Sequence, residues 1–557
     1  MQDQIQLILK SVCRDLFHID TDIELTRPEP KFGDFSTNIA LKLSKHLSKS
    51  PQEIAETISQ ILNNQNNKLI EKVTIAGPGF INIILTNQSL HENYTNASNL
   101  EEFNEGQLIL VEYGDPNPFK EMHAGHFYSA IEGDAIADLI ESSGAEVKRL
   151  SYHGDVGLQV AKFIWGVGVA VEWDLDKVES AINAKSLGYY YGQGANDFNI
   201  DEITAKKIRE INEHIYKKDN KLINDIYDIG WKISFEKFDY IFDQTGIKHD
   251  KRYLESESTN IGKEIVDSNI GKVFEESEGA IVYKGEKVGL HTRVFINSKN
   301  LPTYETKDLG LVELKNQDYP NATKSIIVTG NEQTEYFKVM LAALSEIDEN
   351  LAKKTIHIAH GFLSLTTGKM ASRVGNVYEA ITLIEDVKKA IEKQYPDSEV
   401  KQDIFMAAIR YTFLRQRIGP DIIFSIKDSV GLEGNSGPYI QYAHARARSI
   451  LKKSIDAGNS IAPELKTDQI SLEPAERLLA MKISEFPEIV KRATEELMPH
   501  HICSYLYELS QEFNSFYESN RVLNDKRMYT RLHLVDIYAK VLKKGLKLLS
   551  IPAPEHM

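Results

Sequence analysis

The sequence predicts an α/β protein: a central unit on a doubly wound parallel sheet, a small α/β unit before it and an all-α bundle after it. Three observations carry that expectation. At 557 residues the chain is too long for one hydrophobic core, so several domains are required. The run Leu108-Ile109-Leu110-Val111 is short and apolar, as a strand buried on both faces must be, and a turn, an amphipathic stretch and a second strand candidate follow it. From about residue 396 the apolar residues recur at helical spacing almost throughout.

Taken in order, Ile5, Leu7, Ile8, Val12 and Leu16 form a helical stripe. Val73-Thr74-Ile75 and Phe80-Ile81-Asn82-Ile83-Ile84 read as strands around the turn Gly77-Pro78-Gly79, which gives a small α/β unit over residues 1–95. The Asn-rich stretch 63–67 within it reads as a solvated loop. The central unit, residues 96–395, opens with the strand at 108–111, the turn Asp115-Pro116-Asn117-Pro118, a helix over about 125–143 that Gly144 can end, and a strand over 146–152. Strand, loop, helix, strand is a layout whose ligands bind beyond the carboxyl ends of the strands. Residues from about 160 to 260 read as helices rich in Lys, Asp and Glu, an insertion into that unit. The third unit, 396–557, carries apolar stripes at 405–414, 439–451, 475–489, 502–517 and 532–549.

Composition narrows the function. The chain is 42% hydrophobic and 26% charged, which fits neither a disordered nor a membrane protein. No window of about 18 apolar residues exists to span a bilayer, and the start, Met1-Gln2-Asp3-Gln4, lacks the features of a signal peptide, so a cytoplasmic location is expected. Cys13 and Cys503 cannot make a disulfide framework or a four-thiolate zinc site, and the sixteen histidines show no zinc spacing, so no metal site is expected in the protein. The net charge of −16 argues against a bulk basic nucleic-acid binder. That total conceals an asymmetry: residues 441–557 hold 17 Lys and Arg against 15 Asp and Glu, and the last 37 residues hold eight against three.

The chemistry concentrates in two segments. His123-Ala124-Gly125-His126 sits where the first strand-to-helix turn belongs, and a helix start favours anions through its free N–H groups and its dipole. Two imidazoles three residues apart share one face and add donors, while Gly125 lets a flat base or a phosphate approach the backbone. About 240 residues later, Gly368-Lys369-Met370-Ala371-Ser372-Arg373 is a polar, cationic segment suited to closing over phosphates.

Together these segments resemble the HIGH and KMSKS signatures of class I aminoacyl-tRNA synthetases. The surrounding residues narrow the resemblance to arginyl-tRNA synthetases: Val111-Glu112-Tyr113 through Pro116-Asn117-Pro118-Phe119-Lys120-Glu121-Met122 before the first histidine, Gly33-Asp34 with Asn38, Gly154-Asp155-Val156-Gly157 with Gln159, Tyr304-Glu305-Thr306-Lys307-Asp308-Leu309, the block at 434–446 and the Leu548-Leu549-Ser550-Ile551-Pro552 ending. The resemblance spans the chain. It implies a Rossmann-like catalytic domain, an N-terminal domain touching the outer corner of tRNA and a helical anticodon-binding domain. It implies ligation of L-arginine to its tRNA through an arginyl-adenylate, with transfer to the 2′-OH of the 3′-terminal adenosine, using ATP and Mg²⁺.

Residue by residue, the resemblance makes His123, His126, Lys120, Lys369 and Arg373 catalytic and places His123, Gly125, His126, Lys369 and Met370 against ATP. Ser372 stands where KMSKS has its second lysine, and Lys120 is expected to supply the missing charge. Arginine is expected to meet Glu112, Asn117, Tyr304, Asp308 and Gln333, since a guanidinium is always charged and is best held by carboxylate. The block Gly330-Asn331-Glu332-Gln333-Thr334-Glu335-Tyr336-Phe337 departs from the family pattern, because Tyr336 replaces the usual His. Asn514 and Tyr517 look like RNA-side positions within the aromatic stripe Tyr505, Tyr507, Phe513, Phe516, Tyr517, most of which is expected to be buried. His444 and Arg446 can brace the bundle as readily as touch RNA. A monomer without membrane attachment is expected. Two other readings are weighed: a different class I synthetase or nucleotidyl transferase, and an RNA-binding paralogue without turnover.

Overall fold

The structure is a computed structural model that describes residues 2–65, 67–366, 378–459, 465 and 470–557. The first unit pairs three antiparallel strands in the order β1 (Phe35–Thr37), β3 (Phe80–Leu85), β2 (Ile70–Ala76), covered by helices that include Gln2–Phe17 and Pro51–Asn64. Its core is its own, built from residues such as Ile5, Leu9, Ile54, Ile58 and Ile81. Phe35–Thr37 was too short to read from the sequence. Pro51 at the helix start and the reciprocal bonds between Ser50 and Glu53 fix where the second of those helices begins.

The central unit holds a five-stranded parallel sheet of β4 (Leu108–Glu112), β5 (Glu146–His153), β6 (Lys251–Leu254), β10 (Ala322–Gly330) and β11 (Thr355–His360), in the spatial order β11-β10-β4-β5-β6. The strand order reverses between β4 and β10, and a crevice opens there at the carboxyl ends. Helix Ala124–Glu141 follows β4 and is apolar nearly all round, because it lies between the sheet and the third unit. Helices Leu158–Ala170, Leu175–Ala181, Leu187–Phe198, Glu202–Lys217 and Lys221–Asp243 form the helical elaboration with a separate core. The strand β6 follows them within the stretch read as insertion, and it belongs to the sheet. A small antiparallel sheet of β7 (Glu275–Ser277), β8 (Ala280–Tyr283) and β9 (Arg293–Ile296) had no counterpart in the sequence reading.

Among its described residues the third unit is helical as expected, with one exception: β13 (Ile422–Phe424) pairs in parallel with β12 (Leu363–Leu365) of the central unit. One continuous core runs through both, joining Phe127, Ile131 and Ala135 to Ile409, Leu506 and Val541. Arg410, wholly buried on helix Lys401–Leu414, donates to Asp134 of helix Ala124–Glu141 at 2.5 Å, to Leu549 O at 2.6 Å and to Thr245 O at 3.0 Å. The first unit docks on the bundle through Asp34, which accepts from Leu85 N at 2.6 Å and from Arg477 at 2.5 Å. Among the described residues no helix is long and apolar enough to cross a membrane.

Candidate active site

Where β4 ends, the chain makes the loop 113–122 and then turns into helix Ala124–Glu141 with His123 as its N-cap. The His123 Nδ1 accepts from His126 N at 3.3 Å, and the two rings stack with centroids 3.6 Å apart. A Cβ on Gly125 would lie 2.9 Å from His123 Nδ1, so glycine here first makes room for the histidine ring itself. Burial pushes His123 down to about 4, with repulsion from Lys120 and His360 adding to it, and pushes His126 well below its ordinary value. Both are neutral imidazoles at neutral pH, each keeping one N–H to donate. The loop is latched to the end of β5: Asp115 Oδ1 accepts from Tyr152 N at 2.8 Å, Asn117 Oδ1 from Gly154 N at 3.1 Å, and His153 Nδ1 lies 2.8 Å from Pro116 O.

His123, Gly125, His126, Asp115, Asn117, Tyr152 and Gly154 line a cleft of about 540 Å³ at the strand-order reversal. Of the residues expected at the site, Glu112, Asn117, His123, Gly125, His126, Tyr304, Asp308 and Gln333 all line it. Tyr304 is 61% exposed, which places it at the mouth. Asp115, Tyr152, Glu255, Thr329, Tyr336 and His360 line it too and were not expected there. Glu255, Thr329 and His360 stand at or just beyond the carboxyl ends of β6, β10 and β11, so the rule that ligands gather at those ends would have singled them out.

The acids of the cleft are not equivalent. Glu112 is buried 2.5 Å from Lys315, and Glu255 is buried 2.6 Å from Lys307. Both lysines come from helix Tyr304–Asp318, which also carries Asp308. Asp308 has no ion pair among the described residues and accepts from the Tyr336 hydroxyl at 2.8 Å. Burial pushes its carboxyl up to about 8; the Tyr336 bond opposes that, while nearby Glu112 and Glu255 reinforce it. A buried acid that lacks a cation is suited to receive one.

Lys120 is half-buried with Nζ 5.5 Å from the Tyr191 ring centroid, and burial lowers its affinity for a proton while Glu255 opposes that. It does not line the cleft, yet its charge is felt by both His123 and His126. Lys369, Met370 and Arg373 lie outside the described residues. The described residues beside that segment are tied to the histidine loop: Ala124 N donates to Tyr378 O and Ala380 N to Met122 O, both at 2.9 Å, and Glu379 bridges His123.

Asn514 and Tyr517 stand on helix His500–Ser519 and do not line the cleft. Asn514 is engaged within the bundle, accepting from Arg446 at 2.8 Å and donating to Tyr439 at 2.9 Å, whereas Tyr517 is 39% exposed. Tyr505, Phe513 and Phe516 are buried, and His444 is buried with Nδ1 2.9 Å from Pro554 O, so these residues brace the bundle. Two basic residues near the chain end, Arg527 and Arg531, pair with Glu476.

Comparison with known proteins matches three families along the chain: "Arginyl tRNA synthetase N terminal domain" over residues 1–85, "tRNA synthetases class I (R), catalytic domain" over 88–424, and "DALR anticodon binding domain" over 440–557. The chain is 27% identical to an arginine–tRNA ligase of Porphyromonas gingivalis, over 97% of this chain and 96% of that one. It is 30% identical to one of Prochlorococcus marinus, over 95% and 93%. Among solved structures, arginyl-tRNA synthetase of Thermus thermophilus superposes with a TM-score of 0.80 at 22% identity, covering 100% of both chains. That of Plasmodium falciparum gives 0.81 at 23% identity, covering 100% and 99%.

Proposed function

We propose a division of labour for this cleft from one premise: the chain belongs to the arginyl-tRNA synthetase family and is an arginine–tRNA ligase. The arginine carboxylate attacks the α-phosphorus of ATP and pyrophosphate leaves; the 2′-OH of the tRNA 3′-terminal adenosine then attacks the carbonyl of the arginyl-adenylate and AMP leaves. Neither step needs a covalent enzyme intermediate, so the protein works by positioning and by neutralising charge. His123 and His126 each donate one N–H to phosphate oxygens at a helix start that already favours anions. Gly125 and Met370 complete the ATP surface. Lys120, Lys369 and Arg373 supply the cations. Mg²⁺ would enter as part of the magnesium–ATP substrate and would shield phosphate charge there.

Asp308 receives the guanidinium, with Tyr304 at the mouth and Gln333 beside it. Glu112, which faces Lys315 through Oε2, and Asn117 take the amino-acid end. The observation that carries this reading is the surroundings of the acids: among the described residues Glu112 and Glu255 have lysine partners, Asp115 accepts from the Tyr152 main chain, and Asp308, on the same helix as both lysines, has the Tyr336 hydroxyl and no cation. The same proposal assigns residues 1–95 to the outer corner of tRNA, 96–395 to catalysis and 396–557 to the anticodon, with Asn514 and Tyr517 on the RNA side. It further holds that the enzyme is a cytoplasmic monomer. The test is ATP–pyrophosphate exchange driven by arginine, with and without its tRNA. Exchange is expected with arginine only when tRNA is present. No exchange with arginine plus tRNA would favour an RNA-binding paralogue and overturn the proposal, as would exchange driven by another amino acid.

A further inference from the structure

Helix Tyr304–Asp318 is fixed by backbone contact and not by side chains alone. A Cβ on Gly310 would meet Ser258 O at 2.0 Å, and one on Gly262 would meet Thr306 O at 1.9 Å, so this helix and Glu255–Ser268 touch through their main chains. The Cα of Asp308 therefore has little freedom, and what remains to be set is the direction of its carboxylate. The Tyr336 hydroxyl lies 2.8 Å from Asp308 Oδ2 and 3.2 Å from Gln333 Oε1, so one phenol touches two residues assigned to arginine. Its ring cannot swing away easily: it stacks on Phe337 at 4.6 Å, Phe337 stacks on His357 at 4.0 Å, and His357 Nε2 lies 2.8 Å from Thr329 Oγ1 at the end of β10. Tyr336 thus reaches Asp308 from a braced aromatic stack anchored in the central sheet.

We propose that Tyr336 is a positioning residue for arginine: its hydroxyl holds one oxygen of Asp308 and so presents the other to the guanidinium. The choice of side chain matters chemically. Burial and the nearby Asp308 hold the phenol far above its ordinary proton affinity, so it stays a neutral donor throughout the working pH range. A neutral donor orients the carboxylate without cancelling the charge that the substrate cation needs, which a lysine or a protonated imidazole at this place would do. Its bond also opposes the burial that protonates Asp308, so its loss shifts arginine binding toward higher pH.

The inference rests on Asp308 receiving the guanidinium, and the test separates the two. Steady-state aminoacylation is measured with L-arginine varied, at saturating ATP and tRNA, for the parent, Tyr336→Phe and Asp308→Asn, from pH 6.5 to 9. Tyr336→Phe keeps the ring stack and removes only the hydroxyl. The expected result is a KM for arginine raised about tenfold, kcat within about twofold, KM for ATP unchanged, and kcat/KM for arginine climbing at higher pH than in the parent. Tyr336→His, which restores a neutral donor, should recover part of the loss. If Asp308→Asn raises the arginine KM while Tyr336→Phe leaves KM and pH profile unchanged, the positioning role is wrong and the pocket assignment stands. Equal changes in the KM for ATP and for arginine would likewise overturn it as a merely structural effect. If Asp308→Asn changes nothing, the pocket assignment fails and takes this inference with it.

Discussion

Burial leaves Asp308 and His123 uncharged for opposite chemical reasons, the acid holding its proton and the imidazole refusing one. With Asp308 at about 8 in the free enzyme, arginine must displace a proton to form its ion pair below that pH. Arginine binding at pH 7 is therefore expected to release close to one proton, and affinity should rise up to about tenfold per pH unit between 6 and 8 before levelling. Titration calorimetry with tRNA present, in buffers of different ionisation enthalpy, measures that release; none at pH 7 would mean that Asp308 is already ionised. With His123 at about 4 in the free enzyme, kcat/KM for ATP should show no histidine limb near pH 6.5, which a pH–rate profile reads directly. Lys120→Ala should lower kcat by at least about tenfold, about 1.4 kcal/mol of transition-state stabilisation. Unchanged turnover would leave the lost second lysine without a substitute. His123, His126 and Asp308 were legible because each sits in a short pattern. The pairing of Glu112 with Lys315 was not, since it joins a strand end to a helix remote in the chain.

At the scale of elements, helix Tyr304–Asp318 does two tasks at once: it presents Asp308 to the cleft and neutralises the neighbouring acids with Lys307 and Lys315. Lys315→Met should cost about 3–5 kcal/mol of stability, because it leaves Glu112 buried without its cation. Urea unfolding measures the loss, and a change below about 1 kcal/mol would mean that this ion pair contributes little to the fold. The strands β2 to β5 and helix Ala124–Glu141 could be read ahead of the structure, since runs of apolar residues or a clear turn mark each. The small sheet β7 to β9 could not. Its strands are three or four residues long with partly exposed faces, too short for a period to show. For the same reason β13 was hidden inside a stretch read as helical.

At the scale of the molecule, charge and motif take meanings that a linear reading missed. Gly33-Asp34 was singled out as a family block, and its acid proves to be a docking point between the first unit and the bundle. Arg527 and Arg531 counted toward a basic end, yet they are committed to Glu476 inside the bundle. On helix Met528–Lys547, Lys540, Lys543 and Lys547 stay exposed, Lys540 beside Asp536 and Lys543 beside Glu555. Arg410→Met should destabilise the whole protein by about 3–5 kcal/mol, since Asp134 then loses a fully buried partner, and the central unit and bundle should still melt in one step. Calorimetry that separates their transitions would show that the shared core does not couple them. The join between these two units also bears on how they can be recombined. A bundle borrowed from another enzyme at residue 396 would bring its own counterparts of Arg410 and β13, and these would have to match an Asp134 and a β12 that stayed behind. A chimaera made at that seam succeeds only when both sides of each contact travel with it.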